Sequence, residues 1–171
     1  MRKSVVEIDD MGTPRERKTK SGAEALQALM RLCARAEKSS GDAMRLMRTW
    51  GVPDIERQEV LAKLIEQRYI DDTRYAEAYT REKSQLAGWG ARKIALHLRQ
   101  KGVASDIITS TLAHLDTDDM ASKLENKLLR KLRSIKAAND YELKGKMLRY
   151  ALSLGYEYDV CIGVIDKILH A

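Results

Sequence analysis

Phenylalanine is absent from these 171 residues, proline occurs only at positions 14 and 53, and cysteine only at positions 33 and 161. Each scarcity excludes something. With Leu, Ala, Met, Arg, Lys and Glu dominant instead, the composition favours residues that lose little rotamer freedom in a helix, which argues against a β-rich fold. Cys33 and Cys161 lie far apart with no CxxC, and only His97, His114 and His170 accompany them. That rules against a disulfide framework and a zinc site, and leaves two reduced thiols in a cytoplasmic chain. No apolar run reaches the length of a membrane span, and the opening segment MRKSVVEIDDMGTPRERKTK lacks the apolar stretch of a signal peptide. Phosphate-loop, nucleophile-elbow, HExxH and dinucleotide-binding signatures are all missing. Asp71-Asp72 reads as a helix cap rather than an acid/base or metal pair. The chain is therefore expected to be a non-enzyme without metal or cofactor.

What is present is enough apolar surface to fold and an excess of positive charge. Apolar residues make up 44% and charged residues 33%, with a formal charge of +6. Such a balance argues against disorder, and it allows either a polyanionic partner or simply solvated cationic faces.

Glycines punctuate the chain. Gly51, Gly102 and Gly155 each follow an apolar stripe at helical spacing (Met44 and Met47; Ile94 and Leu98; Met147, Leu148 and Ala151) and precede an apolar residue. A left-handed glycine followed by an apolar residue is a common helix stop. New helices are expected near Asp54, Ser105 and Glu157, with stripes Val60, Leu61, Leu64, Ile65; Ile108, Leu112, Leu115; and Val160, Val164, Ile165, Ile168. Ser21 and Glu24 form a capping box ahead of the stripe Leu26, Leu29, Cys33, Ala36, while Asp71-Asp72 and Asp118-Asp119 mark two further helix starts. The expected architecture is all-α: a mobile arm over 1–20 and three tandem three-helix repeats over 21–70, 71–116 and 117–171.

The candidate binding residues are cationic. In GWGARKIALHLRQKGV, Ala91, Ile94, Ala95 and Leu98 face the core while Arg92, Lys93, His97, Arg99 and Lys101 occupy the other face, and no carboxylate is expected to balance them. Such a face suits an anionic partner, although cations near a helix C-terminus also complement its dipole. Lys123, Lys127, Arg130 and Lys131 form a second basic face opposite Leu124, Leu128, Leu132 and Ile135, and Lys144, Lys146 and Arg149 add charge to the following helix. Arg81 and Lys83 complete the basic candidates. Trp89, between Gly88 and Gly90, is an anchor candidate or a plug between helices; Tyr75 and Tyr79 read as core rather than as a stacking platform. A helix-turn-helix base reader is disfavoured, because SDIITSTLAHL after Gly102 carries no Arg, Lys, Asn or Gln at its exposed front.

The stretch from Leu64 to Val103 resembles the RecX family of recombinase regulators. The resemblance rests on Tyr69, Ile70, Asp71, Asp72, Arg74, Tyr75 and Ala76, on the Gly88-Trp89-Gly90 loop, and on Arg92, Lys93, Ile94, Leu98, Lys101 and Gly102. The ending LRYALSLGYEYDVCIGVID is similar to the family's closing helices. The resemblance implies a curved, elongated array of three three-helix repeats. It further implies a monomeric, non-enzymatic modulator lying in the groove of a RecA filament on DNA and typically inhibiting its ATP hydrolysis, strand exchange and coprotease action, with direct DNA contact as a second implication. A general DNA-binding module acting without RecA is the alternative. Two departures stand out. Where the family has an E-H-S-R step and then E-L-x-x-K-L, this chain keeps Glu37 and Ser39 but places Ser40 and Leu46 at usually basic positions, and Arg68 replaces a usual glycine.

Overall fold

The computed structural model describes residues 6–8, 14–16 and 19–170. The expected mobile arm lies largely outside them. Within it, strands β1 (Val6–Ile8) and β2 (Pro14–Glu16) pair antiparallel, with Val6 opposite Glu16 and Ile8 opposite Pro14. Everything else regular among the described residues is helical: α1 (Gly22–Cys33), α2 (Ser40–Thr49), α3 (Asp54–Glu66), α4 (Asp72–Gln85), α5 (Ala91–Gln100), α6 (Ser105–Leu112), α7 (Thr117–Leu132), α8 (Asp140–Ser153) and α9 (Tyr158–Leu169). The chain divides into two compact units, Met1–Tyr75 and Ala76–Ala171, so that α5 and α6 belong with α7 to α9.

Local chemistry explains the helix ends. Ser21 and Glu24 make both bonds of the capping box, the Glu24 amide donating to the hydroxyl at 3.3 Å and the Ser21 amide to the carboxylate at 2.7 Å. Gly51, Gly102 and Gly155 take φ of +68°, +77° and +88°. After α2 and α5 the chain folds back in the same way: Val52 N–H donates to the Met47 carbonyl at 3.0 Å and Val103 N–H to that of Leu98 at 3.1 Å. α3 ends in this geometry too, with Tyr69 N–H on the Leu64 carbonyl at 2.9 Å, but the left-handed position, φ +58°, is held by Arg68. One cap differs from expectation. α7 is capped by Asp116, whose carboxylate accepts from the amides of Asp118 and Asp119 at 2.8 and 3.1 Å. Asp118 and Asp119 lie in the first turn, where their charge faces the positive end of the dipole.

In the first unit, Ala25, Leu29, Ala43, Met47, Val52, Val60, Leu64 and Ile70 form one buried cluster from α1 to α3. In the second, Met120, Leu124, Leu128, Met147, Ala151, Leu154, Tyr156, Cys161, Val164 and Ile165 form the other from α7 to α9. Each fully buried Leu, Met or Ile contributes about 1.5–3 kcal/mol. Ile94, Leu98 and Ile108 are buried where α5 packs on α6. The stripes err at single positions: Ile65 and Val160 are exposed, Ala36 lies exposed beyond the end of α1, and Ala25 and Cys161 take core places instead.

Candidate anion-binding surface

The acidic and aromatic motif around α4 acts within the first unit. Asp71 caps α4 by accepting from the Arg74 amide at 3.0 Å, and Asp72 accepts from the Ser40 amide at 2.8 Å. Arg74 grips Glu37 with two parallel bonds, Nε to Oε1 at 2.7 Å and Nη2 to Oε2 at 3.1 Å, and also reaches the Arg68 carbonyl at 3.3 Å. The bonds to Glu37 hold the Arg74 guanidinium above its usual pKa. Ser39 is fully buried and caps α2 by accepting from the Asp42 amide at 3.1 Å. Tyr69 packs against the first core cluster and Tyr75 is buried. These residues tie the start of α4 to the connection between α1 and α2.

The Gly88-Trp89-Gly90 loop orders the second unit. The Gly90 amide donates to the Leu154 carbonyl at 2.8 Å and the Arg92 amide to that of Gly155 at 3.0 Å, so the start of α5 rests on the turn between α8 and α9. A Cβ on Gly90 would lie 2.3 Å from the Gly155 carbonyl carbon, and one on Gly155 would lie 2.5 Å from the Lys93 nitrogen. Both glycines are therefore required by close backbone approach. At Gly88, φ is +61° and a Cβ would lie 2.0 Å from Lys127 Cε, so the Lys127 side chain runs beside the loop. The Tyr156 hydroxyl donates to the Gly88 carbonyl at 3.3 Å, and burial pushes that phenol up to about 12.

Trp89 gathers cations. Lys93 Nζ lies 4.6 Å and Lys83 Nζ 5.6 Å from its ring centroid, and the His97 ring is centred 4.7 Å away at 44°. Lys83 also lies over Tyr79 at 5.2 Å and pairs with Glu82 at 2.6 Å, a bond that raises the ammonium pKa. Burial raises the Tyr79 phenol. Trp89 thus organises the basic side chains rather than presenting two bare faces.

Two basic clusters follow. The first is a groove of about 830 Å³ beside α5, carrying Arg92, Lys93, His97 and Arg99 together with Leu96, Leu112, Leu152 and Tyr156. The reading that no carboxylate balances this face needs correction, because Glu157 at the start of α9 reaches Arg92 at 3.7 Å. Both partners are more than half exposed, so water screens the pair and leaves it weak. Lys93 also donates to the Ser153 carbonyl at 3.2 Å. The second cluster is a recess of about 300 Å³ lined by Lys127, Arg130, Lys131, Ser134 and Tyr150, with no acid among them. Lys131 Nζ lies 5.6 Å from the Tyr150 ring centroid.

The other basic candidates stand apart from these clusters. Arg81 and Lys123 line a mixed-sign recess with Glu77, Asp116 and Asp119, and Lys123 pairs with Asp119 at 2.5 Å. Lys144 is neutralised by Asp166 and Lys146 by Glu142, each at 2.6 Å. Lys101 caps the C-terminus of α5 and its amide donates to the His97 carbonyl at 3.0 Å. Sequence reasoning missed Glu157, Tyr150, Leu96 and Leu152. For Leu96 a signal existed, since an aliphatic residue off the Ile94–Leu98 stripe projects outward; the others depend on long-range neighbours. Among the described residues no group of His, Cys, Asp or Glu could hold a metal ion.

Comparison with known proteins agrees with this architecture. Residues 71–112 match the family model described as RecX, second three-helix domain. A Clostridium perfringens (strain 13) protein named regulatory protein RecX is 36% identical over 108 residues, covering 61% of this chain and 50% of that relative. Over that match the chain spans about half the relative's length. A Mycolicibacterium vanbaalenii protein of the same name is 27% identical over 157 residues, covering 88% of this chain and 85% of the relative. The crystal structure of RecX from Lactobacillus salivarius superposes with a TM-score of 0.78 at 19% identity, covering 88% of this chain and 97% of that one, and so shows the shared fold. Residues 71–112 thus match the second three-helix domain of RecX, and the chain is similar in sequence to proteins named regulatory protein RecX and shares the fold of a solved RecX.

Proposed function

We propose that this chain is a non-enzymatic regulator of a RecA recombinase, acting by binding the RecA filament on DNA through the basic surface of its second unit. The observation that carries the reading is the cluster of Lys127, Arg130 and Lys131 around Tyr150, basic side chains gathered without an acid. Maintaining three cations together in a folded surface repels and costs stability, which a polyanionic partner offsets. A filament on DNA presents a row of phosphates. The motif residues Asp71, Asp72, Arg74, Glu37 and Ser39 are each held by partners within the first unit and serve the scaffold, so they are not assigned to the partner. The three-helix repeats over 21–70, 71–116 and 117–171 are the evolutionary units of this reading.

The test is ATP hydrolysis by RecA on single-stranded DNA with and without the purified chain. Altered hydrolysis at stoichiometric amounts is expected. Lys127→Glu with Arg130→Glu should weaken the effect by at least about tenfold, the cost of reversing two phosphate or carboxylate contacts. Unchanged hydrolysis with the unaltered chain would refute the proposal. Tight binding to DNA alone, falling steeply with salt and indifferent to RecA, would favour the general DNA-binding alternative.

A further inference from the structure

We infer that the groove beside α5 receives an acidic, leucine-bearing peptide segment of a protein partner, whereas nucleic-acid phosphates are left to the α7 recess. The inference rests on the filament reading above and divides the filament's protein from its DNA. Its starting point is a contrast between the two basic clusters. The α7 recess combines Lys127, Arg130 and Lys131 with Ser134 and Tyr150 and has no aliphatic residue. The α5 groove combines Arg92, Lys93, His97 and Arg99 with Leu96, which is 51% exposed, and Leu152, which is 37% exposed.

Phosphodiester chains reward cations, but exposed aliphatic side chains offer them nothing. Bases would need an aromatic platform. Tyr156 is only 3% exposed and its hydroxyl is held by Gly88, while the His97 ring lies against Trp89, so neither ring in the groove is free to stack on a base. A protein segment with carboxylates beside apolar side chains matches both halves of the lining. Its carboxylates would meet Arg99 and Arg92, whose present partner Glu157 is weakly held, and its apolar side chains would cover Leu96 and Leu152. The groove's volume, about 830 Å³, suits several side chains of an extended or helical segment.

The test uses the full chain and a fluorescently labelled amphipathic peptide carrying Glu and Leu on adjoining faces, followed by anisotropy. Saturable binding is expected. A peptide with Gln for Glu, or with Ser for Leu, should bind about tenfold more weakly, the loss of roughly one buried side chain or one charged contact. Leu96→Ser with Leu152→Ser alters exposed positions only; it should preserve far-UV circular dichroism, weaken the peptide about tenfold and leave a single-stranded oligonucleotide unaffected. Lys127→Glu with Arg130→Glu should do the reverse. Absence of saturable peptide binding overturns the inference, as does equal loss of oligonucleotide binding in the leucine variant. The two readings separate in the RecA assay. If the unaltered chain changes hydrolysis and the leucine variant does so equally, the groove assignment fails while the filament reading stands. If peptide binding follows the expected pattern but RecA is unaffected, the groove stands and the filament reading fails.

Discussion

Replacing Gly90 by Ala adds one methyl group, and the structure sets its cost. The φ of −77° at Gly90 suits any residue, so the requirement there is purely steric. The new Cβ would sit 2.3 Å from both the carbon and the oxygen of the Gly155 carbonyl and 2.4 Å from the Tyr156 nitrogen. These are backbone atoms that no rotamer change can move aside. Relief requires the α5 start to withdraw from the α8–α9 turn, breaking the bonds from Gly90 to Leu154 at 2.8 Å and from Arg92 to Gly155 at 3.0 Å. Each such bond contributes about 1 kcal/mol, and overpacking adds about 1–3 kcal/mol, giving a destabilisation of about 3–5 kcal/mol. That is a large share of the roughly 5–15 kcal/mol that holds a domain folded. The same substitution at Gly145 or Gly163 has the opposite sign. Both are helix-interior glycines in open surroundings, the Gly145 Cβ approaching only Arg149 Nη1 at 3.8 Å and the Gly163 Cβ meeting nothing within 4 Å, so Ala should stabilise each by about 0.5–1 kcal/mol. Urea unfolding followed by far-UV circular dichroism measures all three. A Gly90→Ala protein as stable as the parent would refute the backbone crossing and the placement of α5 that depends on it.

Three further outcomes are expected. Arg68 at φ +58° occupies a left-handed helix stop that glycine would hold without strain, so Arg68→Gly should stabilise the first unit by about 0.5–1 kcal/mol after the unfolded-state entropy is deducted; a loss on thermal melting would show that Arg68 has compensating contacts. The buried hydroxyls of Thr80 and Thr111 have no protein hydrogen-bond partner among the described residues, so Thr80→Val and Thr111→Val should each raise stability by about 1 kcal/mol in urea titration, and destabilisation by both would contradict this. Tyr156 ionises only at about 12 in the fold because burial disfavours the phenolate, against about 10 in the unfolded chain, so the folded state holds its proton longer. This contribution is complete below about pH 10 and is lost as pH rises from there towards 12; Tyr156→Phe should flatten that part of the stability curve, and identical curves would refute the assignment.

The departures of the first repeat acquire a physical meaning from the structure. Of the family's E-H-S-R step the chain keeps Glu37 and Ser39, whose side chains bond Arg74 and the Asp42 amide. At the usually basic positions, Ser40 gives its amide to Asp72 at 2.8 Å and Leu46 packs against the first core cluster. The pairing of Glu37 with Arg74 spans 37 positions, so no local pattern could disclose it.

Helix number, the left-handed glycines, the Ser21 capping box and most of the core stripe were legible in the sequence because each depends on residues within one or two helical turns. Spacing alone distinguishes an apolar face from a polar one. It could not tell that Ile65 and Val160 lack a covering neighbour, or that Asp116 rather than Asp118 closes the turn into α7. The candidate site divides along the same line. The sequence by itself determined which helices are basic, since charge is a property of composition along one face. Only the tertiary structure decided which cations matter: it brought Glu157 to Arg92 and Asp166 to Lys144, gathered Lys83, Lys93 and His97 on Trp89, and left Lys127, Arg130 and Lys131 in a recess with no acid among its described lining residues. The reason is distance. Electrostatic partnership falls off over a few ångströms in space, and spatial neighbours in a packed helical chain come mostly from other helices.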